Sequence, residues 1–312
     1  ATIGNITGAG KDITINSSAN NITVGTLGAS GSALGAVTLT STGTIATGAS
    51  NWYTGALTLS DGNNFTLNSS HASGLTIASA ALTAGNITTS GALSATSSSA
   101  SIDSLVMGNT VSIDTSASDG NITLGAITGN KNLTLDSGSG TIQLSSIGTN
   151  STRVPIPSIT TSSTIKASGN WFFGTAANLL LDNIELLNNL AITIDNKTVT
   201  LGNITTNATS PNLTINNGDA ALTIGSLGDS SNALGSVQFT DSDTISTNAS
   251  NWYTGALTMA DGEDLTLSNS KPLTIAAAAL TAGNITTSAN NLTISSAATD
   301  FDSITLGGTL SL

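Results

Sequence analysis

The chain has no cysteine, one histidine and four prolines, and aromatic residues fill only 3% of its 312 positions. Each shortage removes a class of answer. Without cysteine there is no disulfide framework and no thiolate metal site. With so few rings, no globular core can be assembled around large aromatics. Charged residues reach 8%, where about 25% is usual. Six Lys and Arg stand against 18 Asp and Glu, a net charge of −12. No basic surface exists to neutralise phosphates, which speaks against nucleic acid as a partner. No apolar run approaches ~20 residues, so no membrane-spanning helix is expected. Neither an initiator Met nor a secretory leader precedes Ala1, so the sequence reads as a mature form or an excised fragment.

What remains is Gly, Ser, Thr, Asn and Ala, threaded by a steady supply of Ile, Leu and Val. That aliphatic supply, with so little charge, argues against disorder. The aliphatic residues arrive as short runs of apolar-Thr-apolar type, such as Ile13-Thr14-Ile15, Leu57-Thr58-Leu59 and Leu75-Thr76-Ile77. Period-two alternation marks a strand with one buried face. Gly, Asn, Ser and Asp separate the runs, and these residues turn a chain readily. A second flavour carries a glycine and a further apolar residue, as in Ile122-Thr123-Leu124-Gly125-Ala126-Ile127. One run of each flavour makes a period of about twenty residues, and no helical stripe interrupts the series.

A long-range repeat overlies the short one. The segment from Ala49 to Thr58, with Trp52-Tyr53 at its centre, returns unchanged as Ala249 to Thr258, an offset of 249 − 49 = 200. The segment from Ala81 to Ser90 returns as Ala279 to Ser288, an offset of 279 − 81 = 198. Residues 3–113 and 201–312 are therefore two copies of one module, and the offset is about ten short periods. A weaker echo, Gly169-Asn170-Trp171-Phe172-Phe173-Gly174, lies between them and aligns Trp171 with Trp52.

A period near twenty with two or three short strands points to an all-β fold, a right-handed parallel β-helix, or β-solenoid. The expectation is one continuous solenoid over 1–312, with about 15 or 16 coils at ~4.8 Å spacing, giving a rod of roughly 70–75 Å. Aliphatic residues should stack inward, with Thr, Ser and Asn outward. The segment 148–178 is expected to be an irregular coil or loop, because Pro155 and Pro157 lack the backbone donors that a ladder needs. The following run, Leu179 to Leu187, has the apolarity of a short helix but is assigned to strand by its place after Trp171. The strand pattern persists to Leu312, so the ends read as cut from a longer solenoid or as joints to another molecule.

Coils built from Asn-Ile-Thr, Leu-Thr-Ile and Gly-Asn-Ile-Thr-Thr phrases resemble the filamentous-haemagglutinin-like exoproteins of bacteria. The resemblance covers nearly all of the chain outside 148–178. It implies a large secreted β-helical adhesin of the two-partner-secretion type, whose shaft projects adhesive elements or itself adheres. The family's amino-terminal secretion domain is not recognisable here.

Few residues offer chemistry. Trp52, Tyr53, Trp171, Trp252 and Tyr253 are the candidate ligand-binding residues, as rings that stack on sugars; the alternative is that each Trp covers a coil corner with its N–H bonded locally. The acids Asp241-Ser242-Asp243, Asp261-Gly262-Glu263-Asp264 and Asp300-Phe301-Asp302 lack the calcium-binding nonapeptide and are not repeated between the copies, so they read as solvated turn acids. Six bases are scattered singly, and His71 has no counterpart in the second copy. No general acid–base set and no activated serine follows, and no cofactor or metal is expected. Sequons at Asn5, Asn21, Asn86, Asn132, Asn203, Asn212, Asn284 and Asn291 arise from composition, although glycosylation would suit a surface filament. The outward residues do not make the Thr-x-Thr grid of an ice-binding solenoid.

The functional expectation is a non-enzymatic structural rod of an extracellular bacterial surface protein. It would be an adhesin shaft mediating attachment to glycans, cells or surfaces. The alternative is a self-assembling subunit of an extracellular filament or surface layer, joined end to end or side by side. A β-helical polysaccharide-degrading enzyme is the third reading.

Overall fold

The computed structural model describes all residues except 19, 42, 60–65, 70, 72, 73, 175–177, 208, 248, 260–263, 268–270, 288 and 289; for 66–69, 241–243, 264 and 267 it describes the backbone alone. The chain divides into two compact units, Ala1–Ser163 and Thr164–Leu312. Each is a β-solenoid of parallel strands, and the only helical turn among the described residues is Ser116–Ser118, in the first unit.

Three columns of inward residues run through the first unit. One passes Ile13, Val37, Leu57, Leu82, Ala100, Ile122 and Ile142. A second passes Ile22, Ile45, Ile87, Leu105, Ile127 and Ile147, with the backbone at 67 paired between Ile45 and Ile87. The third passes Leu27, Trp52, Ile77, Ala95, Ile113, Leu135 and Ile159. Each coil therefore has three strands. Stacked coils lie about 21 residues apart and number about 13, fewer than a strict period of twenty requires. Individual coils are lengthened at their corners, by a tight turn at Ala29–Ser32 and by another at Thr149–Thr152.

The corners also explain the sequence pattern. The 15-residue strand Leu75–Thr89 crosses all three columns, and its burial alternates except at Ala80-Ala81 and Ala84-Gly85. At those points the pleat changes phase, so one long strand reads as three short runs. The glycine flavour is likewise two faces joined at a corner, since Ile122–Thr128 contributes Ile122 to the first column and Ile127 to the second. In-register stacking sets the outward hydroxyls in single file: Thr14, Thr38, Thr58, Thr83, Ser101 and Thr123 in the first unit, and Thr200, Thr223, Ser246, Thr266, Thr286 and Thr305 in the second.

The two copies fold alike. Asn51–Leu59 and Asn251–Met259 have the same burial sequence residue by residue. Among the described residues of 148–178, Ser158–Thr160 and Ile165–Phe173 are paired strands, the latter with a register shift after Ala167, and Pro155 and Pro157 lie outside the ladder. Leu179–Leu181 and Ile184–Ile194 are strands, not a helix.

Candidate functional site

The aromatic positions come first. Trp52, Trp171 and Trp252 are fully buried. The Trp52 indole N–H donates to the Gly25 carbonyl at 2.9 Å, and that of Trp252 to Gly225 at 2.8 Å. Each ring fills a coil between Leu27 and Ile77, or Leu227 and Ile275. A ring enclosed on both faces cannot stack on a sugar, so the indoles are structural and the sugar-stacking assignment fails for all three. Tyr53 and Tyr253 are half-buried beside them.

Trp171 is not the structural equivalent of Trp52. Its column runs through Ile192, Ile215, Phe239 and Met259, whereas Trp252 belongs to the column of Ile184, Ile204 and Leu227. Within the second unit, Trp171 therefore shares a column with Met259, seven residues beyond Trp252. It packs edge-on against Phe173 with centroids 6.0 Å apart.

The carboxylates do not converge. Among the described residues no group of three His, Asp or Glu side chains is placed to hold a metal ion. The acids of 261–264 and the side chains of Asp241 and Asp243 lie outside the described residues; Asp300 and Asp302 are exposed. Three other acids serve turns. Asp114 accepts the Ser116 hydroxyl at 2.7 Å and its N–H at 2.9 Å. Asp119 accepts the Ser139 N–H at 2.8 Å. Asp229 accepts the N–H groups of Ser231 and Asn232. These bonds hold each carboxyl below the ordinary carboxylate range. Lys166 pairs with Glu185 at 3.8 Å. His71 sits half-buried on a cavity of about 420 Å³ lined by Asn5, Thr26 and Ser50.

The recurrent polar device is one that reading by composition misses. Asn5 Oδ1 accepts the N–H of Thr26, the residue opposite it in the next coil, at 3.0 Å. Asn21 does the same for Thr44, Asn121 for Thr141, Asn203 for Ser226, Asn212 for Ser236 and Asn291 for Thr309, all at 2.7–3.1 Å. Asn86 and Asn284 instead accept a hydroxyl, from Ser104 and Ser303. The clip accounts for the Asn-x-Thr phrase. Asn bonds the next coil, the middle residue is buried in a column, and Thr faces out. The sequons follow from the fold itself. Their signal was the fixed place of Asn one residue before each buried aliphatic.

Asn132 breaks this rule. Its neighbour Leu133 is opposite Pro157, and the Asn132 amide has no hydrogen-bond partner among the described residues. It borders a groove of about 350 Å³ whose lining includes Thr76, Ser94, Thr110, Ser112 and Thr134.

Comparison of the chain with protein families, with curated proteins and with solved structures gives no match.

Proposed function

We propose that this chain forms the rod of an extracellular bacterial surface protein, an adhesin shaft mediating attachment to cells or surfaces, and that it has no catalytic activity of its own. One observation carries the reading. In each unit the coils spend their apolar residues on the coils above and below them, and present hydroxyls and amides outward. Such a plan builds length by repetition and needs no central core. The resemblance to filamentous-haemagglutinin-like exoproteins, carried by the Asn-Ile-Thr and Leu-Thr-Ile phrases, supports the same reading and the placement outside the cell. Small-angle scattering of the purified full chain tests it: a shaft requires an elongated particle, and a compact profile overturns the proposal.

A second reading has its own observation. The strands Thr2–Ile3 and Leu310–Ser311 each pair on one side only, and in Thr299–Leu306 the side chains of Phe301 and Ile304 are only half-buried. An unpaired ladder edge is a template on which a second copy can pair. Electron microscopy over a dilution series separates the two. Filaments that persist on dilution assign the edges to self-assembly, and discrete particles at every concentration remove that reading.

A further inference from the structure

We propose that the two unpaired edges join head to tail: the coil 299–312 of one molecule seats residues 1–15 of a second molecule, in the register that 179–192 and 199–215 already use inside the chain. The proposal rests on the self-assembly reading and gives it a surface, a register and a partner.

Both halves of the joint have a covered counterpart. Phe301, Ile304, Leu306, Leu310 and Leu312 repeat the spacing of Leu181, Ile184, Leu186, Leu190 and Ile192, an offset of 304 − 184 = 120, and Asp302 falls where Asp182 stands. On the other edge, Ile3-Gly4-Asn5-Ile6-Thr7 answers Leu201-Gly202-Asn203-Ile204-Thr205, an offset of 201 − 3 = 198. Ile13-Thr14-Ile15-Asn16 answers Leu213-Thr214-Ile215-Asn216, an offset of 213 − 13 = 200. The pairing agrees, since Ile6 and Ile204 bridge to Leu27 and Leu227, and Ile13 and Leu213 pair with Val37 and Val237.

Inside the second unit these counterparts lie directly on one another. Leu181 is opposite Leu201, Ile184 opposite Ile204, Leu190 opposite Leu213 and Ile192 opposite Ile215. All eight side chains are buried. Carried to the edges, the same register sets Phe301 on Ile3, Ile304 on Ile6, Leu310 on Ile13 and Leu312 on Ile15. None of those side chains is fully buried in the single chain, and Leu312 is 77% exposed. The strands that carry them each pair on one side only.

A glycine points to the same partner. At Gly202 a Cβ would stand 2.7 Å from the Asp182 carbonyl of the preceding coil, so glycine is needed there for close approach alone; its φ is not positive. Gly4 is its counterpart, and a Cβ there would meet no atom within 4 Å. In the joint the backbone of Asp302 takes the place that Asp182 has under Gly202. Ile304 stands in the column of Leu222, Ile245, Leu265 and Ile285, whereas Ile184 stands in that of Ile204 and Leu227. The second molecule is therefore turned by one face of the three-faced coil. The positions 299, 304 and 310 keep the intervals of 179, 184 and 190, which lets the turned coil accept the same partner. A head-to-tail contact of this kind leaves both edges free to repeat it and builds filaments.

The test is sedimentation of the full chain over a dilution series, with association expected to grow with concentration. Gly4→Ala adds a methyl group where the single chain has room, and is expected to leave Tm unchanged while weakening association about tenfold or more. Gly202→Ala, the same change inside the chain, lowers Tm. Register is read by cross-linking, because the chain has no cysteine of its own. Thr14 and Ser311, both exposed, take the places of Thr214 and Ala191, which are opposite one another. Adjacent parallel strands lie ~4.8 Å apart, within reach of a disulfide. Mixed Thr14→Cys and Ser311→Cys chains are therefore expected to link under oxidation, in preference to Asn5→Cys with Ser311→Cys, the pair that an unturned joint brings together. No concentration-dependent association removes the joint and the self-assembly reading together. Association that Gly4→Ala leaves intact, disulfides only between like variants, or a preference of Ser311→Cys for Asn5→Cys removes this joint and assigns self-assembly to another surface.

Discussion

Trp52 shows how a single residue is committed. Its indole is fully buried and its one donor is used on Gly25, so replacing it leaves both a void and an unpaired carbonyl. Trp52→Ala and Trp252→Ala are each expected to cost about 3–5 kcal/mol, read by urea denaturation. The asparagine clips are worth less individually, because water can replace them at these exposed corners. Asn121→Ala or Asn203→Ala should cost about 0.5–1 kcal/mol, visible as a small drop in Tm. The three turn aspartates contribute to the acid dependence of stability. Folding lowers the pKa of Asp114, Asp119 and Asp229, so their contribution is complete above the ordinary carboxylate pKa and is lost as pH falls through the folded value. Tm should therefore fall below about pH 4. A combined Asp114→Asn, Asp119→Asn and Asp229→Asn variant, which keeps an acceptor oxygen but does not titrate, should show a flatter acid profile.

At the scale of the element, the strands are short because the corners are tight, and the corners depend on glycine where backbones of adjacent coils touch. Gly28 has φ +66°, and a Cβ there would collide with the Tyr53 carbonyl of the next coil; Gly228 repeats the situation at φ +59° against Tyr253. An L-residue meets both a left-handed backbone and a clash. Gly28→Ala should destabilise by about 1–3 kcal/mol from the backbone alone, with faster amide exchange at Leu27 and Tyr53 than at Ile113 as the local readout. The Asn-x-Thr phrase is likewise an element-level unit, with clip, column and outward hydroxyl at three successive positions. The phrase was plain in the sequence, but the clip was not, because its partner lies about twenty residues away in the next coil.

At the scale of the whole molecule, two units each carry their own aliphatic columns, and interactions within a solenoid are between neighbouring coils. Stability is then a sum over coils, and a local lesion is expected to act locally. Trp52→Ala should split thermal unfolding into two calorimetric transitions, the earlier one belonging to Ala1–Ser163. A net charge of −12 is self-repulsive, so added salt should raise Tm by screening it.

The sequence by itself determined the period, the duplication, the inward and outward alternation and hence the all-β solenoid, because these depend on side-chain spacing along one strand and on counting between copies. The tertiary structure alone decided which residues meet. Corner lengths vary from coil to coil, so column membership cannot be counted off from an aromatic landmark. That is why Trp171, which its flanking residues align with Trp52, falls in a different column.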